Sequence, residues 1–173
     1  VKNIKEKRLE ILFNNLYSQY VAEIYKHVYR LIGNREESEQ LTQQSFTKLF
    51  SIMTTSFNIS NERAFVYRIA TNACYDYLRR NKKLKLISNS EMLYGSTKNN
   101  LEEQVLKTQR EETIRQALRK LSFQEQVCIL LYKDGFSYKE IAETAKMKKT
   151  SVGKTLSRAT QKLKQIISNG EMK

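Results

Sequence analysis

From Gly135 to Ala159 the chain runs GFSYKEIAETAKMKKTSVGKTLSRA, a stretch whose backbone has few ways to fold. Gly135 can end one helix by taking a left-handed conformation. Ser137 and Glu140 stand at capping-box spacing, so a second helix starts at once. Ile141, Ala142 and Ala145 give that helix a small apolar face, and the chain turns near residues 145–148. In the next helix Val152, Leu156, Ala159, Leu163 and Ile166 recur at helical spacing and face a core. Its other face, with Lys148 just before it, shows Lys149, Thr150, Ser151, Lys154, Thr155 and Arg158. This is the layout of a helix-turn-helix whose second helix enters the DNA major groove. An ordinary helical hairpin with a solvated lysine face shares the pattern, and the agreement of turn length, caps and charge favours DNA.

The rest of the chain reads as helix too. It has no proline, and its five glycines stand alone at positions 33, 95, 135, 153 and 170, which argues against a turn-dense all-β fold. From about Leu9 to Ile32 an apolar stripe passes through Leu12, Leu16, Tyr20, Ile24, Val28 and Leu31, and it stops at Gly33. Asn34 and Glu37 form a capping box for a second helix to about Met53, with Leu41, Phe46, Leu49 and Phe50 inward. A polar connector, 54–60, leads to a third helix from Ser60 or Asn61 to about Arg80. Residues 84–99 have weak periodicity and small polar side chains. Asn100 with Glu103, and Ser122 with Glu125, cap two further helices. The expected fold is all-α: two small helical domains, 1–83 and 105–173, joined by a flexible linker over 84–104, with the helix-turn-helix in the second.

Charge narrows the function. The net charge of +13 divides almost evenly, +7 over residues 1–87 and +6 over 88–173, so both halves suit a polyanionic partner. The longest apolar run, Val127–Tyr132, is far too short to insert into a bilayer. The charged start VKNIKEKRLE lacks a signal peptide's apolar segment, so a cytoplasmic location is expected. Cys74 and Cys128 fall in apolar helical patterns and read as buried free thiols.

Catalytic chemistry finds no support. His27, the single histidine, has no cysteine or carboxylate pair near it in sequence and is expected at the surface or at its boundary. Isolated glycines make no phosphate loop, and the carboxylates make no metal-binding pattern; Glu36, Glu37 and Glu39 suit a solvated helix start. No catalytic residue, metal or cofactor is expected. The third helix is more informative. Asn61, Phe65, Arg68, Asn72, Tyr75 and Arg79 share one face, while Val66, Ala70, Ala73 and Tyr77 pack inward. Cations hold phosphates, aromatics stack on exposed bases, and an amide reads a base edge. Arg79, Arg80, Lys82 and Lys83 close the helix as a phosphate clamp. A merely solvated polar face is the other interpretation of this helix alone.

Taken in order, FNNLYSQY, REESEQLTQQSFTKLF, AFVYRIATNACYDYLRR, LRKLSFQEQVCILLYKDGFSYKEIAE and SVGKTLSRA resemble the bacterial extracytoplasmic-function sigma factors. The resemblance spans nearly the whole chain. It implies a first domain that binds the clamp helices of the polymerase beta-prime subunit and recognises a melted minus-ten element. It implies a second domain that binds the beta flap and reads the minus-thirty-five element as duplex, and an anti-sigma partner. By the same resemblance, Asn72 with Arg68, Arg79 and Arg80 meets minus-ten DNA, and Tyr75 joins them because it shares their helix face. Lys148, Lys149, Thr150, Ser151, Lys154, Thr155 and Arg158 meet minus-thirty-five DNA, and Leu41, Gln43 and Phe46 meet core polymerase. Three departures are visible: Gln40 and Gln44 stand where acids are common, Phe65 where Trp is frequent, and Ser122–Phe123 where the family carries a Pro pair. The stand-alone helix-turn-helix regulator and the sigma-like interaction protein are the rival readings.

Overall fold

The computed structural model describes residues 4–55, 59–88 and 113–171, with side chains described over 6–55, 59–82 and 113–168. Among them it is helical throughout. The chain divides into two compact units, Val1–Ser90 and Glu91–Lys173. The first holds α1 (Ile4–Ile32), α2 (Arg35–Thr55) and α3 (Glu62–Ser88). The second holds α4, described over 113–119, then α5 (Phe123–Lys133), α6 (Tyr138–Thr144) and α7 (Lys149–Glu171).

In the first unit three long helices pack on one another. Leu16, Ile24 and Val28 of α1 meet Leu41, Phe46, Leu49 and Met53 of α2 and Val66, Tyr67 and Ala70 of α3 in the core. Gly33 ends α1 with a φ of 74°, and Asn34 opens α2 by accepting the Glu37 N–H at 3.0 Å. Small polar residues also line the buried side of α2. Thr42 and Ser45 donate to the carbonyls of Ser38 and Leu41, one turn earlier, at 2.7 and 2.6 Å. Their hydroxyls are thereby satisfied inside the core, where a loose one would cost about 1–3 kcal/mol.

Three expectations change. The third helix continues to Ser88, so the first linker residues, 84–88, are helical. No glycine or proline follows Arg80 there, and the run NKKLKL contains mostly good helix formers. The remainder of the expected linker up to residue 104, apart from those five, and the cap at Asn100 and Glu103 lie outside the described residues. Phe50 does not face inward but is 40% exposed. His27 is fully buried rather than at the surface.

His27 sits where the apolar stripe of α1 predicts a hydrophobic side chain. Its Nε2 lies 2.9 Å from Thr71 Oγ1, and its ring lies 4.9 Å from that of Tyr67. Its Nδ1 has no hydrogen-bond partner. Burial, helped by the nearby Arg30 charge, lowers its pKa from 6.5 to about 3. Cys74 is pushed up to about 12 and Cys128 to about 11, each chiefly by burial, so both remain inert thiols at neutral pH.

A histidine held neutral in the fold and free to protonate when unfolded destabilises the fold in acid. Above pH 6.5 the penalty is absent; as pH falls from there toward 3, the unfolded chain takes up a proton that the folded chain refuses. The first unit should lose stability with a slope that starts near half of, and approaches, about 1.4 kcal/mol per pH unit as pH falls from about 6.5 to 5, above the range where most carboxylates titrate. Calorimetric unfolding of the whole chain should show that slope in wild type and a flatter one in His27→Gln. Parallel slopes would mean that His27 is not held neutral.

Candidate nucleic-acid interface

The helix-turn-helix is built by two helix endings of the same kind. At the end of α5, Gly135 has a φ of 83°, Gly135 N–H donates to Tyr132 O at 3.1 Å, and Phe136 N–H donates to Leu131 O at 3.0 Å. This is the paired Schellman arrangement, with Phe136 buried behind it. Ser137 then caps α6, accepting from Glu140 N–H at 3.4 Å while its own N–H donates to the Glu140 carboxylate at 2.7 Å. Only residues 134–137 separate the two helices, and the chain leaves them in a new direction.

The second ending repeats the first without a glycine. Lys146 has a φ of 53°, and Met147 N–H donates to Ala142 O at 3.0 Å. A left-handed lysine costs about 1–2 kcal/mol. Contacts from α5 hold the turn in place: Gln124 Nε2 donates to Ala145 O at 3.2 Å, and Cys128 Sγ lies 3.4 Å from Met147 Sδ. Farther along, Lys162 of α7 donates to Glu125 at 2.6 Å. Burial alone would raise the Glu125 carboxyl pKa, but the hydrogen bonds from Lys162 and Ser122 outweigh it and lower the pKa. The core side of α7 is fixed by Val152, Leu156 and Ala159, all buried. Leu163 and Ile166, expected in the core, are half-buried.

That anchoring determines what α7 shows to solvent. Lys148, Lys149, Thr150, Lys154 and Arg158 are exposed, and Ser151 and Thr155 are half-buried. Gly153 faces α6: a Cβ built on it would lie 3.5 Å from Tyr138 Cε2, an ordinary contact.

In the first unit α3 brings Arg68, Asn72, Tyr75 and Arg79 onto one accessible strip. Tyr75 is 44% exposed, Arg68 and Asn72 are half-buried, and Arg79 and Arg80 are exposed. The Arg68 guanidinium sits 5.2 Å over the Phe65 ring, which holds the cation near the surface. Arg79 approaches Asp76 at 3.5 Å, an exposed pair weak enough to yield to a phosphate. Asn61 serves the backbone instead, accepting the Ala64 N–H on its side chain at 3.0 Å and so capping α3. Lys82 is exposed, and the Lys83 side chain lies outside the described residues. Of the inward residues, Val66 and Ala70 are buried, while Ala73 and Tyr77 are half-buried.

Helix α2 separates its expected contacts. Leu41 and Phe46 are each 2% exposed and belong to the core, so neither offers a side chain to a partner. Both occupy the inward positions of an amphipathic helix, which spacing alone reveals. Gln43 is exposed, flanked by Gln40 and Gln44. Phe50 joins this outer face, its ring edge-on to Phe13 at 5.0 Å. Sequence reasoning missed Phe50 because an aromatic at helical spacing ordinarily marks the core. Among the described residues, no three His, Cys, Asp or Glu side chains cluster as a metal site, and no helix is long and apolar enough to cross a membrane.

Comparison with known proteins agrees with this geometry. Residues 16–84 match Sigma-70 region 2, and residues 111–163 match Sigma-70, region 4. The chain is 33% identical over 153 residues to the RNA polymerase sigma factor YlaC of Bacillus subtilis, covering 87% of this chain and 88% of YlaC. It is 24% identical over 160 residues to the ECF RNA polymerase sigma factor SigM of Bacillus subtilis, covering 91% and 96% of the two chains. Its fold is similar to that of the sigma factor RpoE from Bartonella quintana, solved in complex with the anti-sigma factor NepR. The TM-score is 0.70 at 20% identity, with 90% of this chain and 96% of the other covered.

Because Gly153 lies inside the continuous helix α7 with room for a methyl group, Gly153→Ala should stabilise the second unit by about 0.5–1 kcal/mol, through helix propensity and reduced freedom of the unfolded chain. Thermal unfolding should show a raised midpoint. A lowered midpoint would mean that the Tyr138 ring cannot accept the added carbon.

Proposed function

Because this chain belongs to the extracytoplasmic-function sigma factors, we propose that its two helical units divide a promoter between them, α3 taking the opened minus-ten strand and α7 the minus-thirty-five duplex. The chain is an alternative sigma factor that directs transcription initiation by RNA polymerase. The observation that carries the division of labour is the strip on α3. Arg68 to Arg79 spans about 16 Å along the helix, enough for a few nucleotides. Duplex pairing hides base faces and Watson–Crick edges. Stacking on Tyr75 and amide readout by Asn72 therefore become available only once the strand opens. One base–aromatic stack is worth about 1–3 kcal/mol, so capture of an opened strand helps offset unpairing.

Lys148, just before α7, and Lys149, Lys154 and Arg158 on it are exposed cations that supply phosphate attraction, and Thr150, Ser151 and Thr155 supply short polar side chains at the groove. Core polymerase, through its beta-prime clamp helices, is assigned to the outer face of α2 with Gln43 central and Phe50 beside it. A glutamine face keeps hydrogen bonding and gives up charge attraction. Leu41 and Phe46 support that face from behind. The beta flap is assigned to the second unit. An anti-sigma partner completes the proposal, in keeping with the fold shared with RpoE, a sigma factor solved with NepR. The working location is the cytoplasm, where polymerase and promoter are found.

Asn72→Ala should leave core binding and duplex recognition by the second unit intact and impair promoter opening, read as loss of permanganate reactivity at minus-ten thymines. A template already mismatched across minus-ten should rescue a Tyr75→Ala defect in part and an Asn72→Ala defect less, because mismatching supplies unpairing but not base recognition. Wild-type footprints from Asn72→Ala would remove this residue from the site.

A further inference from the structure

A line of polar contacts joins α1 to α3 on the face of α3 that turns toward α1, next to the proposed strand-binding strip. Glu23 and His27 lie one turn apart on α1; Arg63, Tyr67 and Thr71 lie one turn apart in succession on α3. Arg63 Nη2 approaches Glu23 Oε2 at 3.5 Å, and the Tyr67 hydroxyl donates to the same oxygen at 3.3 Å. The Tyr67 ring carries Arg63 at 5.5 Å and His27 at 4.9 Å. His27 Nε2 then meets Thr71 Oγ1 at 2.9 Å. The line starts at solvent and ends in the core, where Tyr67, His27 and Thr71 are all buried.

Its inner end is costly. His27 Nδ1 is buried without a partner, and in either neutral tautomer one polar atom of the ring stays unsatisfied. A leucine at position 27 would fill the same stripe without that cost. Buried polar pairs that add little stability have one well-supported use, the fixing of register between packed helices. Apolar side chains tolerate a neighbouring offset or a small rotation. The His27–Thr71 bond does not, because a slip would leave further polar atoms unpaired in the core. Thr71 is the residue before Asn72, so whatever fixes Thr71 against α1 also fixes the direction in which Asn72 points.

We propose that His27 and Thr71, continued outward by Tyr67 and Glu23, are positioning residues that set the rotation and register of α3 and so aim Arg68, Asn72 and Tyr75 at the opened strand. This rests on the assignment of the α3 strip to minus-ten DNA. None of the four positioning residues touches the strand itself.

The test uses the full chain with core polymerase, comparing His27→Leu and the double variant His27→Leu/Thr71→Val with wild type. The double variant should unfold at an unchanged or higher temperature, because the orphaned nitrogen is gone and no hydroxyl loses its partner; His27→Leu alone leaves the buried Thr71 hydroxyl without His27 and should unfold at or below the temperature of the double variant. Both should also shorten the open-complex lifetime by about fivefold or more, the scale of one lost hydrogen bond. Amide resonances of residues 62–82 should broaden or double as α3 samples neighbouring registers. His27→Gln, which keeps a polar group toward Thr71, should restore single resonances and the lifetime. Falls in unfolding temperature and lifetime together, in both variants, would reduce the contact to ordinary stability and overturn the inference. Unchanged α3 resonances would overturn the register role whatever the lifetime. Doubled resonances with a wild-type lifetime would overturn the assignment of the strip to the strand, and the positioning role with it.

Discussion

A helix that stops leaves four carbonyls without intrahelical partners, and one that starts leaves four N–H groups in the same state. The C-terminal unit is organised by how those groups are satisfied. Gly135 turns back two bonds onto α5, Ser137 and Glu140 cap α6 within two residues, and Lys146 repeats the turn before α7. These endings fix where α7 leaves α6 and therefore which of its side chains are turned to solvent. The contacts from Gln124 and Cys128 to the second turn make α5 a support for the start of α7. Lys146 shows that the geometry is worth an unfavourable backbone angle.

The first unit solves a different problem. Its helices are long enough to be held by burial, and their exposed faces are then free to differ. Helix α3 turns an apolar face to α1 and α2 while presenting cations, an amide and an aromatic to solvent. Helix α2 does likewise with a glutamine face. The basic charge in each half suits both units to a polyanion, and in the proposed division of labour it is α7 of the second that enters the duplex groove. The first offers flat aromatic and amide surfaces suited to bases that have left the stack.

Much of this was legible in the sequence, for a physical reason. Caps and left-handed glycines act over four or five residues, so Gly33, Asn34, Ser122, Gly135 and Ser137 announce their helix ends locally. Apolar periodicity likewise locates Leu16, Ile24, Val28, Leu49 and Val66 in a core. What stayed hidden depends on distant neighbours. His27 looks like a surface residue until Thr71, 44 positions away, is brought beside it. Phe50 looks like core until α1 is seen to cover only part of it. Asn61 shares the spacing of the α3 strip, and spacing cannot distinguish a helix's cap from its first exposed residue. Leu41 and Phe46 follow inward spacing, and their assignment to a partner came from family resemblance rather than from their own pattern.

The central claim is that this one chain gives core RNA polymerase promoter specificity, with the α7 face holding duplex and the α3 strip holding the opened strand. Run-off transcription on genomic fragments with purified core polymerase tests it most directly, with and without the protein. The account predicts discrete transcripts that require the protein and start a fixed distance downstream of a shared pair of sequence elements. Transcripts that are identical in both reactions, or protein binding to those fragments with no transcript at all, would contradict it.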